Sequence, residues 1–380
     1  MRTLGIETSC DETAAAVVED GRLVRSSAVA TQEDLHAEYG GVVPEIAGRA
    51  HVERILPVID RALNAAGITL DDLDAVAVGH RPGLIGSLLV GVAAAKSIAW
   101  AKGIPLVGVD HVQAHLYAPL LIDAPTRTEQ QPRHGADTGH DDEPRAQALA
   151  PREGERDPYP ALGLVVSGGH TAIYRCDAPH RLTRLGSTID DAVGEVYDKV
   201  ATILGREYPG GPRVDALAAQ EGADDRAADF PISRLAKDSL DFSFSGLKTA
   251  VLYEVRGKPA STRPGKPQPP APPPLTDDRA RDIAASFQRA AIGAITLKLA
   301  RAFETQPGCT TLLVGGGVSA NSRLRVDLQT FCARRGITLR LAPMKYCIDN
   351  GAMIAGLGER LLAEGITSDL GLAPIPTTAC

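Results

Sequence analysis

The segments LGIETSCDETAAAVVED (residues 4–20) and LGLVVSGGHTAIYRCD (residues 162–177) follow one plan, and this repeat decides the fold. Each consists of an apolar strand, a tight turn of small and polar residues, and a second apolar strand. Small residues in such turns leave backbone N–H groups free to approach an anion. A hairpin of this kind near the start of each half predicts two duplicated α/β lobes that face a cleft.

Outside the hairpins, apolar strands alternate with helical patterns along the chain, as expected for sheets covered by helices. This plan resembles the actin, sugar-kinase and heat-shock ATPase superfamily, in which paired hairpins hold the phosphates of a nucleotide. We therefore predict a two-lobed α/β fold of that type with a duplicated core. The N-terminal lobe is predicted at residues 1–120, joined by the C-terminal residues 346–380, and the second lobe at residues 159–345.

Residues 43–67 predict a long amphipathic helix, because apolar side chains recur there at helical spacing. The recurring positions are Ile46, Val52, Ile55, Leu56 and Ile59. This face of the helix is expected to pack on the N-terminal lobe.

Two stretches interrupt the globular pattern. Residues 121–158 are polar with mixed charge, and residues 256–279 are rich in proline. Neither stretch can bury enough apolar surface to fold alone, so both are predicted to be flexible surface insertions. His134 and His140 lie in the first one and are therefore expected to be solvated rather than metal ligands.

The composition is that of an ordinary globular protein, with 44% hydrophobic and 23% charged residues among 380. A net charge of −7 argues against nonspecific coating of nucleic acid. None of the six cysteines forms a C-x-x-C pair, which argues against a zinc knuckle. The N-terminus lacks a signal-peptide pattern, and the longest apolar run, residues 84–101, contains Lys96. We therefore expect a cytoplasmic enzyme that does not associate with membranes.

The segment VDHVQAHLYAP (residues 109–119) places His111 and His115 one helical turn apart. Two surface histidines would give the same spacing, so the pair needs a third ligand to indicate a metal. Asp349 is a candidate, although it could instead cap the helix that follows it. Two histidines and a carboxylate with open positions suit catalytic zinc or iron(II). The Glu of the peptidase pattern H-E-x-x-H is missing, because Val112 follows His111.

The turns of the two hairpins are candidate substrate sites. In ETSCDET (residues 7–13), Ser9 could face phosphate, and Asp11 could orient a water molecule or accept a proton. In the second turn, Val165, Val166, Ser167, Gly168 and Gly169 would let a ligand lie against the backbone. The alternative for either turn is a plain connecting loop.

Three further polar residues flank glycine-rich helix starts. Asp198 and Asp215 lie on either side of Gly210-Gly211-Pro212, where a helix N-terminus can hold an anion or ribose hydroxyls. Both aspartates could equally be solvated helix charges. Asn321 follows a strand and a Gly-rich turn and could donate and accept hydrogen bonds at a nucleobase or ribose.

Taken in order, these motifs resemble the bacterial TsaD family of tRNA N6-adenosine threonylcarbamoyltransferases over nearly the whole chain, apart from the two insertions. Beside the histidine segment, they are GIETSCDET (5–13), YGGVVPEIAGRAH (39–51), PGLIGSLLVG (82–91), LVVSGGHT (164–171), YPGGPRVD (208–215), DFSFSGLKTAV (241–251), GGGVSANSRLR (315–325) and C-x-DNGAMIA (347–355).

The resemblance implies transfer of a threonylcarbamoyl group from threonylcarbamoyl-adenylate to N6 of adenosine 37, in tRNAs that read codons beginning with A, with release of AMP. It implies one divalent metal per subunit, iron(II) with zinc(II) as the alternative. It also implies two partners, a TsaB-like paralogue and a TsaE-like ATPase. The implied metal ligands are His111, His115 and Asp349, and the implied substrate contacts are Val165, Val166, Ser167, Gly168, Gly169, Asp198, Gly211, Asp215 and Asn321. We add the hypothesis that Asp11 positions or deprotonates the attacking amine.

The chain departs from the family pattern around the histidines. A small-residue turn is replaced by Gly79-His80-Arg81, the Glu common between the histidines is Gln113, and Asp110 precedes His111. Asp110 is expected to accept an imidazole N–H.

Three rival functions are a metallopeptidase, a small-molecule kinase of the same fold and a non-catalytic scaffold; the intact ligand set argues against the scaffold.

A basic stretch either docks tRNA or forms a solvated face. It comprises Arg323, Arg325, Arg334, Arg335, Arg340 and Lys345.

Overall fold

The computed structural model describes residues 1–124, 157–233, 235–259 and 272–376. Residues 125–156 of the first predicted insertion, including His134 and His140, and residues 260–271 of the second lie outside the described residues. At the edge of the first insertion, Ile122–Asp123 forms a short strand that pairs with the N-terminal sheet. The boundaries of the two lobes stay a prediction.

The described chain forms two sheets with the same internal order. The strands are β1 Arg2–Glu7, β2 Glu12–Glu19, β3 Leu23–Thr31, β4 Ala75–Arg81, β5 Leu106–Asp110, β6 Ile122–Asp123, β7 Ala161–Val166, β8 Thr171–Ala178, β9 Arg181–Ser187, β10 Thr311–Gly315 and β11 Thr338–Leu341. The first sheet has the order β5-β4-β1-β2-β3-β6, and the second has the order β11-β10-β7-β8-β9.

The two predicted hairpins occupy matching places in the two sheets. The first strand of each pairs antiparallel with its hairpin partner, with Ile6 opposite Ala15 in one and Leu164 opposite Ile173 in the other. Its other edge pairs parallel with a later strand, β4 or β10. The predicted two-lobed fold with a duplicated α/β core is confirmed.

Ten α-helices cover the described parts of these sheets. They are α1 Glu33–Ala37, α2 Pro44–Ala66, α3 Ile85–Lys102, α4 His111–Tyr117, α5 Val193–Ile203, α6 Gly210–Ala218, α7 Ser245–Arg256, α8 Asp277–Thr305, α9 Ser322–Arg335 and α10 Gly351–Ala363. After β11 of the second sheet the chain returns, and α10 packs on β1, β2 and β4 of the first.

A shared core joins the two sheets around α4. Leu116 of α4 packs in one buried cluster with Val165 and Leu313 of the second sheet and with Val109 of the first. Met353 of α10 belongs to the same cluster. Burying a side chain of this size contributes about 1.5–3 kcal/mol. The short helix with the two histidines is therefore fixed from both sides.

Helix α2 forms where predicted, but part of its predicted buried face was wrong. Ile55 and Ile59 are buried, whereas Val52 is 64% exposed and Leu56 is 70% exposed. The buried face instead uses small and polar residues, including Ala47 and His51. Helix α3 crosses α2 where Gly86 of α3 faces Gly48 of α2. A Cβ built on Gly48 would lie 3.7 Å from the backbone of Gly86.

The long apolar run corresponds to α3. Among the described residues, it is the one helix whose length and composition would allow it to cross a membrane. In this fold it packs against β4 and α2, with Leu88, Val92 and Ala95 buried.

Candidate metal centre and cleft

The two histidines open α4, and Asp110 determines where that helix begins. The Asp110 carboxylate oxygen Oδ1 accepts hydrogen bonds from the backbone N–H groups of Val112 (3.0 Å) and Gln113 (3.1 Å). Its Oδ2 lies 3.2 Å from Nε of Arg81. Asp110 is thus an N-cap, and the expectation that it accepts an imidazole N–H was wrong.

Asp349 faces the two histidines. The cap of α10 is Asn350, whose side chain accepts from the N–H of Met353 at 2.9 Å, so Asp349 is not the helix cap. Oδ1 of Asp349 lies 3.5 Å from Nε2 of His111 and 3.2 Å from Nε2 of His115. One potential ligand atom from each residue lies within 4.8 Å of the others. The fold therefore brings together the three predicted ligands.

The donor set fits a divalent metal. His115 is fully buried, and neither of its ring nitrogens has a hydrogen-bond partner among the described residues. The contact from its Nε2 to Asp349 is close but not oriented as a hydrogen bond. A buried polar atom without a partner costs about 1–3 kcal/mol, and coordination would remove that cost. Two imidazoles and one carboxylate are ligands that zinc and iron(II) accept.

The charges around the three side chains are strongly coupled. Burial lowers the pKa of His111, but the carboxylates of Asp349 and Glu7 outweigh it and raise the pKa to about 9. Burial and the neighbouring His111 lower the pKa of His115. Burial raises the pKa of Asp349, yet the two imidazoles hold it well below its usual value. A divalent cation at Nε2 would therefore compete with a proton on His111.

Glu7 is a residue of this site that the sequence analysis missed. It ends β1, is fully buried, and its Oε2 lies 3.1 Å from Nδ1 of His111. The backbone N–H of Ser9 donates to its Oε1 at 2.5 Å. The feature of the sequence that could have identified Glu7 is a carboxylate at the end of a buried strand.

The first hairpin turn is packed more tightly than expected. Ser9 is only 3% exposed and its Oγ lies 3.1 Å from Nδ1 of His111, so it does not face the cleft as predicted. Behind the turn, the buried His51 contacts Thr13 Oγ1 (2.8 Å) and the carbonyl oxygen of Cys10 (2.9 Å). The turn is therefore held rigidly beside the histidines.

Asp11 lies in an acidic part of this turn. Burial, with Asp349 and Asp11 nearby, raises the pKa of Glu12 well above its usual value. Burial and the same two carboxylates raise the pKa of the Cys10 thiol. Burial, and then the carboxylates of Asp11 and Asp198, raise the pKa of Tyr208, which was not predicted as a site residue.

In the second turn, Gly168 and Gly169 are exposed, and Ser167 and His170 are half-buried. Val165 and Val166 are fully buried, so their side chains point into the core. The N–H of Ser167 donates to the carbonyl oxygen of His170 at 2.8 Å, which closes the turn. Gly168 and Gly169 are exposed, with no atom near the position of an added Cβ.

The side chains of the remaining predicted substrate residues accept hydrogen bonds from backbone N–H groups at helix starts. Oδ1 of Asp198 accepts from the N–H groups of Gly210 (2.8 Å) and Gly211 (3.3 Å). Oδ2 of Asp215 accepts from the N–H of Ser322 at 2.9 Å. Asn321 caps α9 through the N–H of Leu324 (2.9 Å) and donates to Gln288 at 2.8 Å. Each of these side chains orders the backbone around the cleft.

A cavity of about 220 Å³ lies between α6, α8 and α9, beside Asp215 and Asn321. Its lining is mostly small and apolar, with polar groups at one side. The lining residues are Ala218, Ala219, Ala285, Gln288, Ser322, Arg323 and Val326. Such a slot suits a flat, weakly polar group.

The basic stretch is largely engaged within the protein. Arg323 contacts Asp225 and Asp327, and Arg325 donates to the backbone carbonyls of Ser319 and Ala342. The guanidinium of Arg335 lies over the Phe331 ring. These contacts favour a packed helix face over a continuous docking surface for tRNA.

Comparison with known proteins supports the resemblance. Residues 24–134 and 145–356 match the family model for tRNA N6-adenosine threonylcarbamoyltransferase, TsaD. A protein of that name from Sorangium cellulosum is 46% identical over 383 residues, covering 100% of this chain and 97% of the relative. Another, from Trichlorobacter lovleyi, is 46% identical over 372 residues, covering 98% and 95%.

A solved structure supports the fold. Full-length HypF in its phosphate- and nucleotide-bound form superposes with a TM-score of 0.51 at 13% sequence identity. The match covers 95% of this chain and 55% of HypF.

Proposed function

We propose a function from the premise that this chain belongs to the TsaD family of tRNA N6-adenosine threonylcarbamoyltransferases. Its proposed substrates are threonylcarbamoyl-adenylate and adenosine 37 of tRNAs reading codons that begin with A. Membership makes the chain a transferase that modifies tRNA. In the proposed reaction the N6 amine attacks the carbamoyl carbon, a C–N bond forms, the bond to the phosphate oxygen breaks, and AMP leaves.

The observation that carries this proposal is the convergence of His111, His115 and Asp349, with both buried nitrogens of His115 lacking a partner among the described residues. We propose that these side chains hold one divalent metal, iron(II) or, alternatively, zinc(II). When bound, the metal supplies a Lewis acid that stabilises negative charge developing on the carbamoyl oxygen. Because the adenylate is a good leaving group, no enzyme nucleophile is required.

Asp11 is the proposed proton acceptor. The attacking amine must lose one proton, and a carboxylate at the cleft can take it or hold the amine in place. Asp11 is 8% exposed and lies between Cys10 and Glu12, whose pKa values are raised by burial and by nearby carboxylates. Asp11 is therefore the proposed acceptor of the turn.

We further propose that the adenosine of the adenylate enters the cavity between α6, α8 and α9. Its apolar lining suits a purine ring, and Asp215 and Asn321 lie beside it for the ribose and base. The open turn at Ser167, Gly168 and Gly169 and the α6 start at Gly211 would lie along the phosphate. Val165 and Val166 are buried as whole residues and pair with β8, so their proposed role is to hold this turn in place.

Filling the rim of this cavity tests the placement. Val326 lines it and is 56% exposed, so Val326→Trp should narrow the entrance without disturbing the core. We expect the KM for threonylcarbamoyl-adenylate to rise about tenfold or more, since roughly 1.4 kcal/mol of binding free energy corresponds to a factor of ten. The matched control is Ala333→Trp, at an exposed position of the same helix. An unchanged KM in the Val326 variant would place the adenosine elsewhere.

Modification of an ANN-decoding tRNA in vitro tests the function itself. Purified protein with its partner proteins, tRNA and threonylcarbamoyl-adenylate should give modified adenosine and stoichiometric AMP. Asp11→Ala should lower the single-turnover rate about 10²- to 10⁴-fold, the range for a lost general base, while Asp177→Ala, at an exposed carboxylate of β8, should not. Absence of product with wild-type protein would defeat the proposal, and an unchanged rate for Asp11→Ala would remove only its role.

Partners and location follow from the same proposal. We propose a TsaB-like paralogue and a TsaE-like ATPase as partners, and the cytoplasm, where tRNA is modified, as the location. Exposed apolar side chains on α2 and α3, including Val52, Leu56, Ile85 and Leu89, offer a surface for a protein partner. Sedimentation of the chain with the purified paralogue tests whether the pair forms.

Glu7 does not supply the base that the metallopeptidase alternative requires. Glu7 approaches His111 at Nδ1, whereas the face toward Asp349 and His115 is at Nε2. A peptidase base would need to lie on the Nε2 side, beside the metal and its water.

A further inference from the structure

A buried carboxylate ties three elements of the N-terminal sheet to the histidine helix. Glu7, fully buried at the end of β1, has the His111 imidazole as its ionic partner, with Oε2 at 3.1 Å from Nδ1. Its second oxygen accepts the N–H of Ser9, which fixes the turn that begins there. Glu7 thus links the first hairpin turn (residues 7–13) to His111, the first residue of α4.

The third element is the end of β4. A Cβ built on Gly79 would lie 2.5 Å from Oε2 of Glu7 and 3.2 Å from its carboxyl carbon. Only glycine leaves room for the carboxylate at this position. The backbone at Ser9 and the backbone at Gly79 therefore determine where the Glu7 carboxylate lies.

This contact determines which nitrogen of His111 is available. An ionised carboxylate can only accept hydrogen bonds, so Nδ1 of a neutral His111 must carry the proton. Its Nε2 then presents a lone pair toward Asp349, 3.5 Å away. Without Glu7, the remaining partner of Nδ1 is Ser9 Oγ at 3.1 Å, which can donate as well as accept, so part of the population would carry the proton at Nε2 and present no ligand there.

The charge of Glu7 also matters. A buried carboxylate is costly unless a positive charge compensates it. The carboxylates of Asp349 and Glu7 lie at opposite nitrogens of the His111 ring, so Glu7 adds a second acidic side chain beside a divalent cation. Glu7 therefore stabilises a doubly charged ion without occupying a coordination position.

We propose that Glu7 is a positioning residue of the metal centre, which selects the Nε2-ligating form of His111 and balances the charge of a divalent cation. This inference rests on the proposed metal site.

Competition with a chromophoric chelator tests it, using Co²⁺ as the probe metal and the full-length protein. Glu7→Gln removes the charge and replaces an acceptor-only group with an amide that can also donate, and it should weaken Co²⁺ binding about 10- to 100-fold, as changes to the hydrogen-bond partner of a metal ligand do. The visible Co²⁺ spectrum of the saturated variant should also change, because the orientation of His111 changes. The matched control is Glu359→Gln, at a buried Glu that contacts Thr3 instead; its affinity should stay within about twofold of wild type.

The outcomes separate the two claims. If wild-type protein binds no divalent metal, the proposed metal centre fails. If wild type binds Co²⁺ and Glu7→Gln binds it within about twofold with the same spectrum, only the role of Glu7 is overturned. Should Glu7→Gln not fold, Gly79→Ala displaces the same carboxylate, and an unchanged affinity in that variant overturns the inference equally.

Discussion

Replacing His115 with alanine is expected to abolish stoichiometric binding of the divalent metal and to slow threonylcarbamoyl transfer by at least about 100-fold. The imidazole is fully buried, and its two nitrogens have no other partner among the described residues, so no neighbouring group can replace it. Losing preorganised stabilisation of an oxyanion typically costs about 10²- to 10³-fold in rate. Metal content after dialysis and single-turnover formation of modified adenosine measure the two effects.

The control for this variant is His180→Ala. His180 lies in the turn between β8 and β9, away from the three converging side chains. The His180→Ala variant should retain the metal content and the single-turnover rate of the wild-type protein. If His115→Ala still bound one metal per chain with wild-type affinity, the assignment of the ligand set would be wrong.

Gly315→Ala is expected to weaken metal binding by at least about tenfold although it removes no ligand. A Cβ at this position would lie 1.9 Å from the carbonyl oxygen of His115 and 2.7 Å from its carbonyl carbon. Both are backbone atoms, so β10 or α4 must move. A metal site tolerates displacements of only a few tenths of an ångström in its ligand distances. Chelator competition, as described for Glu7, measures the loss.

The free energy of unfolding of Gly315→Ala should also fall, because strain and repacking in a buried contact typically cost about 1–3 kcal/mol. Urea unfolding of metal-free protein separates this loss from the loss of metal. Gly308→Ala is the matched control, since nothing lies near its added Cβ in the turn before β10. Wild-type metal affinity in Gly315→Ala would show that α4 tolerates movement and that the close contact does not position the ligand.

The fold was predictable because its signal is local and repeated. Each hairpin pattern lies within a short stretch of sequence, and both gave the expected antiparallel pairs. The buried face of α2 was less accessible to such reasoning. Val52 and Leu56 have the right spacing, but the position of α3 against α2, which no local pattern records, leaves them exposed.

At the site, spacing and residue type identified the histidines, and chemistry suggested the carboxylate that faces them. The acceptor for His111 was assigned incorrectly, to its neighbour Asp110 rather than to Glu7. Sequence proximity favoured Asp110, yet capping a helix start already uses its Oδ1 atom. Glu7 reaches the imidazole only because β1, β4 and α4 meet in three dimensions. The substrate contacts stay predictions, since the same atoms also serve as helix caps in the protein alone.

The return of the chain to the first sheet through α10 has a consequence for biosynthesis. As the polypeptide leaves the ribosome, Glu7, His111 and His115 emerge long before Asp349. A nascent chain with only its first lobe complete presents two histidines but lacks the carboxylate that completes the set. High-affinity loading must therefore wait until the second lobe has been made and α10 has docked. A divalent metal at the proposed site would then be retained only by chains whose last helix has docked.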